Sequence, residues 1–410
     1  MKILYISHYF PPEIAAPAVR VSELSRHWAS AGHNVTVLTG FPNHPTGIVH
    51  PDYRTKLRQL VFRERIDGVQ VVRTWLWPRP NRKALGRMLN FVSFLLSSSI
   101  FGLFLSRPDV VIATSPQLLV GLAGWWLARA KRVAFIFEVR DLWPESLSAV
   151  GMGSDQSMLH RVLAKIAGFL YRHSDKIVVV TPAFKDHLVK NWKVPAAKIS
   201  VVPNGVETEL FSPEKANAEL KRELGTEGKF VACYIGTMGM AHGLETILEA
   251  AMELKSTVPQ AFFLLVGDGA EKEHIAARAL SLGLSNLRII DSQPREKIPS
   301  YICLSNACLV PQKRTPIFET VIPTKMLEFM SCGRPVILGV EGQAREIVEK
   351  AQAGVCIQPE NAKQLAQAVT RLAADSALRK SLGSNGRQYV LKHFSRRQTA
   401  VTYLDVLRKI

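Results

Sequence analysis

The residues of this chain best equipped for chemistry lie between 316 and 338, PIFETVIPTKMLEFMSCGRPVIL. Pro323 and Thr324 carry the start signals of a helix, Gly333 ends it, and Pro335–Leu338 reads as a buried strand. Lys325 and Glu328 fall one turn apart on that helix. The free N–H groups and positive dipole of a helix start attract an anion, and Lys325 adds a full charge. Glu328, acceptor-only when ionised, can take both hydroxyls of a ribose. Together these groups suit a nucleoside diphosphate. Gly236-Thr237-Met238-Gly239 adds to this, because it follows a strand, precedes a helical run, and lets backbone approach a phosphate. The sequence holds no D-x-D pair to place a divalent cation between phosphates. A mechanism free of metal and cofactor is therefore expected, with Lys325 and the helix dipole stabilising the departing diphosphate.

Those groups need a scaffold that brings strand ends together. A chain of 410 residues exceeds the usual single core. Its first half alternates β-branched runs (Ile3–Ser7, Val35–Thr39, Val69–Thr74, Val110–Thr114, Val133–Phe137, Lys176–Val180) with helical patterns, which predicts crossover helices and a parallel sheet. The pattern restarts after Pro203 with Val231–Ile235, Phe262–Val266, Leu287–Ile290, Ala307–Val310, Pro335–Leu338 and Val355–Ile357. Two similar α/β domains are expected, 1–198 and 199–392, linked near Pro195–Pro203, with ligands in a crevice at the strand C-termini. Arg140-Asp141-Leu142-Trp143-Pro144-Glu145 follows a strand and so opens at such an edge. Asp141 can take a hydroxyl proton or steady a sugar, or else cap a helix or pair with Arg140. His8, ending the first strand, is either a group of the same edge or a satisfied structural histidine.

In the order in which they occur, Tyr9-Phe10-Pro11-Pro12-Glu13, Pro203-Asn204-Gly205-Val206, Gly236–Gly239, Val266-Gly267-Asp268-Gly269 and 316–338 run over nearly the whole chain. With these motifs the chain resembles the bacterial family-4 nucleotide-sugar glycosyltransferases of the GT-B fold. Among them it is most similar to the N-acetyl-L-fucosamine transferases of O-antigen and capsule synthesis. The resemblance implies two Rossmann-like domains facing a cleft, a C-terminal helix (393–410) crossing back to the first, a UDP-sugar donor and a lipid-linked saccharide acceptor. It implies donor contacts from Gly236, Thr237, Gly239, Arg295, Arg314, Glu319, Thr320, Thr324, Lys325 and Glu328, with Gln293-Pro294-Arg295 against the uracil. It also puts Glu13, in the loop Pro11-Pro12-Glu13-Ile14-Ala15-Ala16, where relatives have a glycine-rich acceptor loop, so Glu13 joins Asp141 and Lys325 as a catalytic candidate. The chain departs from the family's pattern at two points. Relatives carry two glutamates separated by seven residues; Glu328 fits the second, but eight positions earlier stands Thr320, with Glu319 one residue off register. Relatives also carry Arg and Lys where this chain has Thr237 and Ala241-His242, so the diphosphate is expected to rely on Lys325 with Arg314 or Lys313.

Charge bears on partners. Residues 1–200 hold 26 Lys+Arg against 12 Asp+Glu, net +14, while 201–410 hold 26 against 22, net +4. Ten of the basic residues fall in 54–87, among them Arg79, Arg82 and Lys83. Anionic lipid, a lipid pyrophosphate or nucleic acid suits such a surface. No zinc finger, basic zipper or aromatic-rich basic sheet motif accompanies it, so nucleic acid is not expected as a partner. All five cysteines lie in the second half without metal-like spacing and read as buried thiols of a reducing compartment. The N-terminus enters a strand directly after Lys2, so no cleavable signal is expected.

Met88–Leu105 is uncharged over eighteen residues, near the ~20 that span a bilayer. A span would divide one sheet across the membrane, so a helix packed on the sheet or lying in the lipid interface is expected instead. The protein is thus expected in the cytoplasm, peripheral on the inner face of the membrane. Other readings are a GT-B-like UDP-sugar epimerase, a nicotinamide-dependent oxidoreductase, against which the missing G-x-G-x-x-G counts, and a non-catalytic membrane scaffold.

Overall fold

The computed structural model describes residues 1–13, 16–44, 46–79, 84–145, 157–214 and 216–410; Ile14, Ala15, Arg82 and Lys83 lie outside them. Two compact units result, Met1–Asn204 with Arg396–Ile410, and Gly205–Ser395.

In the first unit, apolar runs separated by amphipathic helices pair in parallel. Strands β1 (Lys2–Ile6), β2 (Asn34–Gly40), β3 (Val61–Ile66), β4 (Val69–Thr74), β5 (Val110–Thr114), β6 (Ala134–Val139), β7 (Lys176–Val179) and β8 (Ile199–Val201) form one sheet of order β3-β4-β2-β1-β5-β6-β7-β8. Helices α1 (Ala16–Ser30), α2 (Ala84–Leu103), α3 (Leu119–Lys131), α4 (Met158–His173) and α5 (Pro182–Trp192) connect them. Two strands go beyond the sequence expectation. β3 pairs antiparallel with β4 through Asp67-Gly68, both at positive φ as a two-residue hairpin turn requires. Its alternation of charged and apolar residues marks an edge exposed on one face. β8, inside the segment read as a linker, pairs with β7 and completes the opposite edge.

One face of this sheet buries Ile3, Tyr5, Val37, Val71, Ile112 and Ile136 against Val21, Leu24 and Trp28 of α1. The C-terminal helix packs there too, with Tyr403, Leu404 and Leu407 in the same core. Trp28 Nε1 donates to the Ala400 carbonyl at 3.0 Å, and Arg396 Nε meets Glu23 Oε2 at 2.7 Å in a buried pair.

The second unit contains α6 (Ala218–Leu224), α7 (Glu245–Thr257), α8 (Lys272–Ser281), α9 (Ile298–Leu304), α10 (Thr324–Ser331), α11 (Gln343–Ala351), α12 (Ala362–Ala374) and α13 (Ser376–His393), before α14 (Arg396–Leu407) returns to the first. Its parallel sheet runs β11 (Leu287–Ile290), β10 (Ala261–Val266), β9 (Phe230–Ile235), β12 (Ala307–Pro311), β13 (Val336–Gly339) and β14 (Gly354–Cys356). Both faces are covered, so its central strands are apolar at every position. Val231, Cys233 and Ile235 face α9 and α10, while Phe230, Ala232 and Tyr234 face α7 and α12.

Candidate active site

In the second unit the C-terminal ends of β9 and β10 continue as two glycine loops that zip together. Gly236 N donates to Val266 O at 3.0 Å, and Met238 N donates to Asp268 O at 2.8 Å. A Cβ on Gly267 would sit 2.0 Å from the Gly236 carbonyl oxygen, so side chains are excluded by backbone contact. Gly236, at φ +142°, faces Lys325, whose Nζ lies 2.8 Å from where a Cβ would be. Gly239, by contrast, has an ordinary φ of −118° and caps a short turn.

Lys325 occupies the first turn of α10, after Pro323 in extended conformation. Its Nζ donates to the Tyr234 hydroxyl at 2.9 Å and lies 4.1 Å from the centroid of that ring. The Tyr234 hydroxyl in turn donates to the Thr237 carbonyl at 2.5 Å. Lys325, Tyr234 and the glycine loop are thus one assembly. Burial pushes the Lys325 ammonium down to about 7, partly opposed by the Glu328 carboxylate. His242, beside it, is driven down to about 3 by burial and by the Lys325 charge, and is neutral at physiological pH.

One turn on, Glu328 Oε1 accepts from Arg295 Nη1 at 2.9 Å. The Arg295 guanidinium lies over Phe211, 4.9 Å from the ring centroid. Arg295 therefore orients the carboxylate expected to hold a ribose. Thr324 is the first residue of α10 and half-buried. Thr320 Oγ1 closes its own turn on the Ile317 carbonyl at 2.6 Å, and Glu319 is exposed, its carbonyl against Gly342. Lys313 and Arg314 are exposed, their backbone N–H groups donating to Ala241 O at 3.0 Å and Glu360 Oε2 at 2.9 Å. Lys325 is a cation brought to the Gly236 loop. Tyr234 was not named from sequence; a hydroxyl-bearing residue next to the end of an otherwise apolar strand is the signal that marks it.

In the first unit, Glu13 is held between two loops. It is 5% exposed, and its carboxylate accepts from Phe10 N (3.0 Å), Asn43 N (2.9 Å) and His44 N (2.8 Å). Those three amides make it a brace between the loops after β1 and β2. Burial raises its carboxyl to about 7, against the lowering effect of the amides. His8 is also buried, with Nε2 paired to Asn90 Oδ1 at 2.9 Å and aromatic rings of Tyr9, Phe91 and Phe94 around it; burial lowers it to about 3. Asp141 is half-buried directly after β6, its N–H directed at Ser115 Oγ at 3.2 Å. Glu13 and Asp141 belong to the first unit and Lys325 to the second.

Comparison with known proteins fits this architecture. Residues 15–205 match the family model "Glycosyl transferase 4-like domain" and residues 216–389 the model "Glycosyl transferases group 1". WcaI of Escherichia coli K12, a glycosyl transferase assigned to colanic acid biosynthesis, is 24% identical over 381 residues, 89% of this chain and 90% of its own. Sucrose-phosphate synthase from Thermosynechococcus elongatus superposes with a TM-score of 0.79 at 21% identity, covering 99% of this chain and 98% of that one. Anabaena HepE, solved in complex with UDP, superposes at 0.75 with 16% identity over 100% of both chains.

Proposed function

The chain belongs to the family-4 glycosyltransferases with the GT-B fold, and from that premise we propose that it transfers an N-acetyl sugar, N-acetyl-L-fucosamine or a close relative, from UDP to a lipid-linked saccharide in polysaccharide synthesis. The observation that carries this reading is the Lys325–Tyr234–glycine-loop assembly with the Arg295–Glu328 pair one helical turn away. A diphosphate settles where backbone N–H groups, a helix start and one cation converge, and a ribose diol fits an oriented carboxylate. HepE, of the same fold, holds UDP, and WcaI serves colanic acid synthesis, which supports both the donor class and the kind of product.

In this mechanism Lys325 and the α10 dipole stabilise negative charge on the departing UDP, with no metal required. Asp141 receives the acceptor hydroxyl proton or steadies the sugar, and Glu13 holds the loops around it in shape. The decisive experiment is turnover of a panel of UDP- and GDP-linked sugars, each with and without a lipid-linked saccharide. UDP release that depends on the acceptor, with an N-acetyl donor preferred, is expected. Preference for a GDP donor, or release indifferent to the acceptor, would overturn the proposal.

Membrane attachment belongs to the same proposal and rests on α2. Its polar residues point inward: Asn90, Ser97 and Ser98 are buried, and Ser97 Oγ donates to the Trp75 carbonyl at 2.5 Å. One apolar stripe points outward, Met88, Val92, Leu96 and Ile100 at steps of four, while Phe94 is buried on the inner face; Phe104 follows at 76% exposure. A helix with such an outward stripe suits a lipid interface, which supports reading the protein as peripheral on the cytoplasmic face of the membrane.

A further inference from the structure

Arg387 of α13 gathers two pieces of chain at the end of α10. Its Nη1 lies within hydrogen-bond distance of four oxygens, the carbonyls of Thr208 (3.2 Å), Phe211 (2.8 Å) and Ser331 (2.6 Å) and the Ser331 hydroxyl (3.1 Å). Ser331 Oγ in turn donates to the Phe211 carbonyl at 2.6 Å. Ser331 is the last residue of α10, where carbonyls lack intrahelical partners and a cation is favoured. Backbone contact makes this approach possible. A Cβ on Gly383, one turn before Arg387, would sit 2.1 Å from the Gly333 carbonyl oxygen.

These ties matter because α10 is short. It has 8 residues, fewer than the ~12–15 at which an isolated helix begins to hold in water, so its place is set by what it is tied to. Its first turn is anchored by Lys325 on Tyr234 and its last by Ser331 on Arg387. Glu328 lies one turn from each. The Glu328 carboxylate is also held from outside the helix, by Arg295 Nη1 at 2.9 Å, and the Arg295 guanidinium rests over the ring of the fully buried Phe211. Phe211 is the residue whose carbonyl Arg387 and Ser331 share. Arg387 therefore fixes to one another the two supports of Glu328, the helix that carries it and the aromatic seat of its arginine partner.

We propose that Arg387 and Phe211 are positioning residues for the ribose of the donor nucleotide, holding the Arg295–Glu328 pair in the orientation in which the carboxylate accepts from both ribose hydroxyls. This deepens the donor reading and rests on it. Both residues act through Glu328 and take no part in bond making. The diphosphate end is separate, because Lys325 has its own anchors in the Tyr234 hydroxyl and ring. Loss of the Arg387 ties is thus expected to blunt recognition of the ribose while sparing that of the phosphates.

The test uses the full chain and three probes, UDP, 2′,3′-dideoxy-UDP and inorganic pyrophosphate, titrated calorimetrically against wild type, Glu328→Ala, Phe211→Leu, Arg387→Met and Arg387→Lys, with melting curves to confirm folding. The ratio of UDP to dideoxy-UDP affinity reads the contact to the ribose hydroxyls, and pyrophosphate reads the Lys325 end. Wild type should prefer UDP by about tenfold or more, the worth of hydrogen bonds to a charged group, and Glu328→Ala should lose that preference. Phe211→Leu and Arg387→Met should each lower it by about threefold or more, the worth of one cation–aromatic contact, with pyrophosphate affinity changed less than about twofold. Arg387→Lys keeps one cation at the same oxygens and should restore part of the preference. A protein that is merely less stable has fewer competent molecules but the same ratio. A wild-type preference that Glu328→Ala abolishes and that Phe211→Leu and Arg387→Met retain overturns the positioning role and leaves the ribose reading standing. Equal loss of UDP and pyrophosphate affinity in Arg387→Met also overturns it. No preference in wild type overturns the ribose reading, and the positioning role with it. If Arg387→Met does not fold, Phe211→Leu decides, because it keeps the bonds of Arg387 and removes the seat of Arg295.

Discussion

The Lys325 ammonium sits on Tyr234, 2.9 Å from its hydroxyl and 4.1 Å from the centre of its ring. Both contacts are mild substitutes for an anion: the ring face attracts a cation, and the hydroxyl accepts one hydrogen bond while donating its own proton to Thr237 O. Neither offsets the burial, so the lysine loses protons near pH 7, far below its ordinary 10.5. A diphosphate at the same spot reverses this by favouring the charged form.

Proton uptake on UDP binding follows. At about pH 8 the free enzyme holds Lys325 largely neutral, and bound diphosphate recharges it; below about pH 6 it is charged in both states. Calorimetry in buffers of different ionisation heat should show uptake approaching one proton at the higher pH and almost none at the lower. UDP affinity should weaken as pH rises through 7. Lys325→Met should abolish the uptake, and Lys325→Ala should lower turnover by on the order of 10²–10³. The stability effect has a fixed sign. Between 7 and 10.5 the unfolded chain binds the proton that the folded chain has released, so stability rises with pH across that window.

Glu328 and Arg295 should behave as a unit. Glu328→Ala removes the proposed ribose acceptor and should weaken UDP binding by roughly 1.5–3 kcal/mol, the range for hydrogen bonds to charged groups. Arg295→Ala leaves the carboxylate in place but unsteered, so a smaller loss is expected, and the double variant should cost less than the sum. Unchanged UDP affinity in Glu328→Ala would remove the carboxylate from the site.

The Glu13 brace predicts a stability defect. Glu13→Gln replaces an acceptor oxygen by an NH₂ group facing a backbone N–H, which should cost about 1–3 kcal/mol in denaturant unfolding. The carboxyl is raised to about 7 from 4.5, so its favourable contribution is complete below 4.5 and lost as pH rises through 7. The stability gap between wild type and Glu13→Gln should therefore narrow over that range. A variant as stable as wild type but without turnover would return Glu13 to the chemistry.

What was legible in the sequence is what repeats. Parallel strands buried on both faces show as continuous apolar runs, so β9, β10 and β13 stood out, and the helix start at Thr324 was marked by Pro323. β3 did not stand out, because Val-Phe-Arg-Glu-Arg-Ile looks like part of a basic run until Asp67-Gly68 folds it onto β4. One of the basic residues there, Arg73, is buried on Glu64 and not on the surface. Tertiary partners were equally invisible: Arg295 and Glu328 are 33 residues apart, and Glu13 and Asn43 are 30 apart. Spacing within one helix places Lys325 by Glu328, but no local rule places Tyr234 under Lys325.

Metal independence is the next expectation, motivated by the lack of a D-x-D pair and by Lys325, at the start of α10, against the Gly236 loop. Turnover should survive excess EDTA with less than about a twofold change, since the proposed mechanism gives the stabilising charge at the leaving group to Lys325. Loss with EDTA and recovery with Mg²⁺ or Mn²⁺ would assign that task to a metal.

Attachment to lipid should depend on the outward face of α2 and on the cations around it. Leu96 and Ile100 are 58% and 54% exposed in the middle of the stripe, and Phe104 and Trp126 lie exposed nearby in sequence or on the neighbouring helix α3. At the C-terminal end of α2, Arg107 donates to the Arg132 carbonyl and Lys131 to those of Leu103 and Leu105, so positive charge gathers where the stripe ends. Arg79, near its other end, is exposed as well. Each cation near an anionic leaflet contributes about 1 kcal/mol, and that share is screened by salt, whereas the apolar share is not. Co-sedimentation with anionic liposomes should thus weaken, without vanishing, as salt rises. Leu96→Glu with Ile100→Glu should remove the salt-resistant part, and charge reversal at Arg79 and Arg107 the salt-sensitive part. Turnover of a soluble saccharide acceptor should be untouched by either pair, because neither belongs to the unit that carries the glycine loops. If the protein failed to sediment with anionic liposomes at low ionic strength, the α2 stripe would need another occupant.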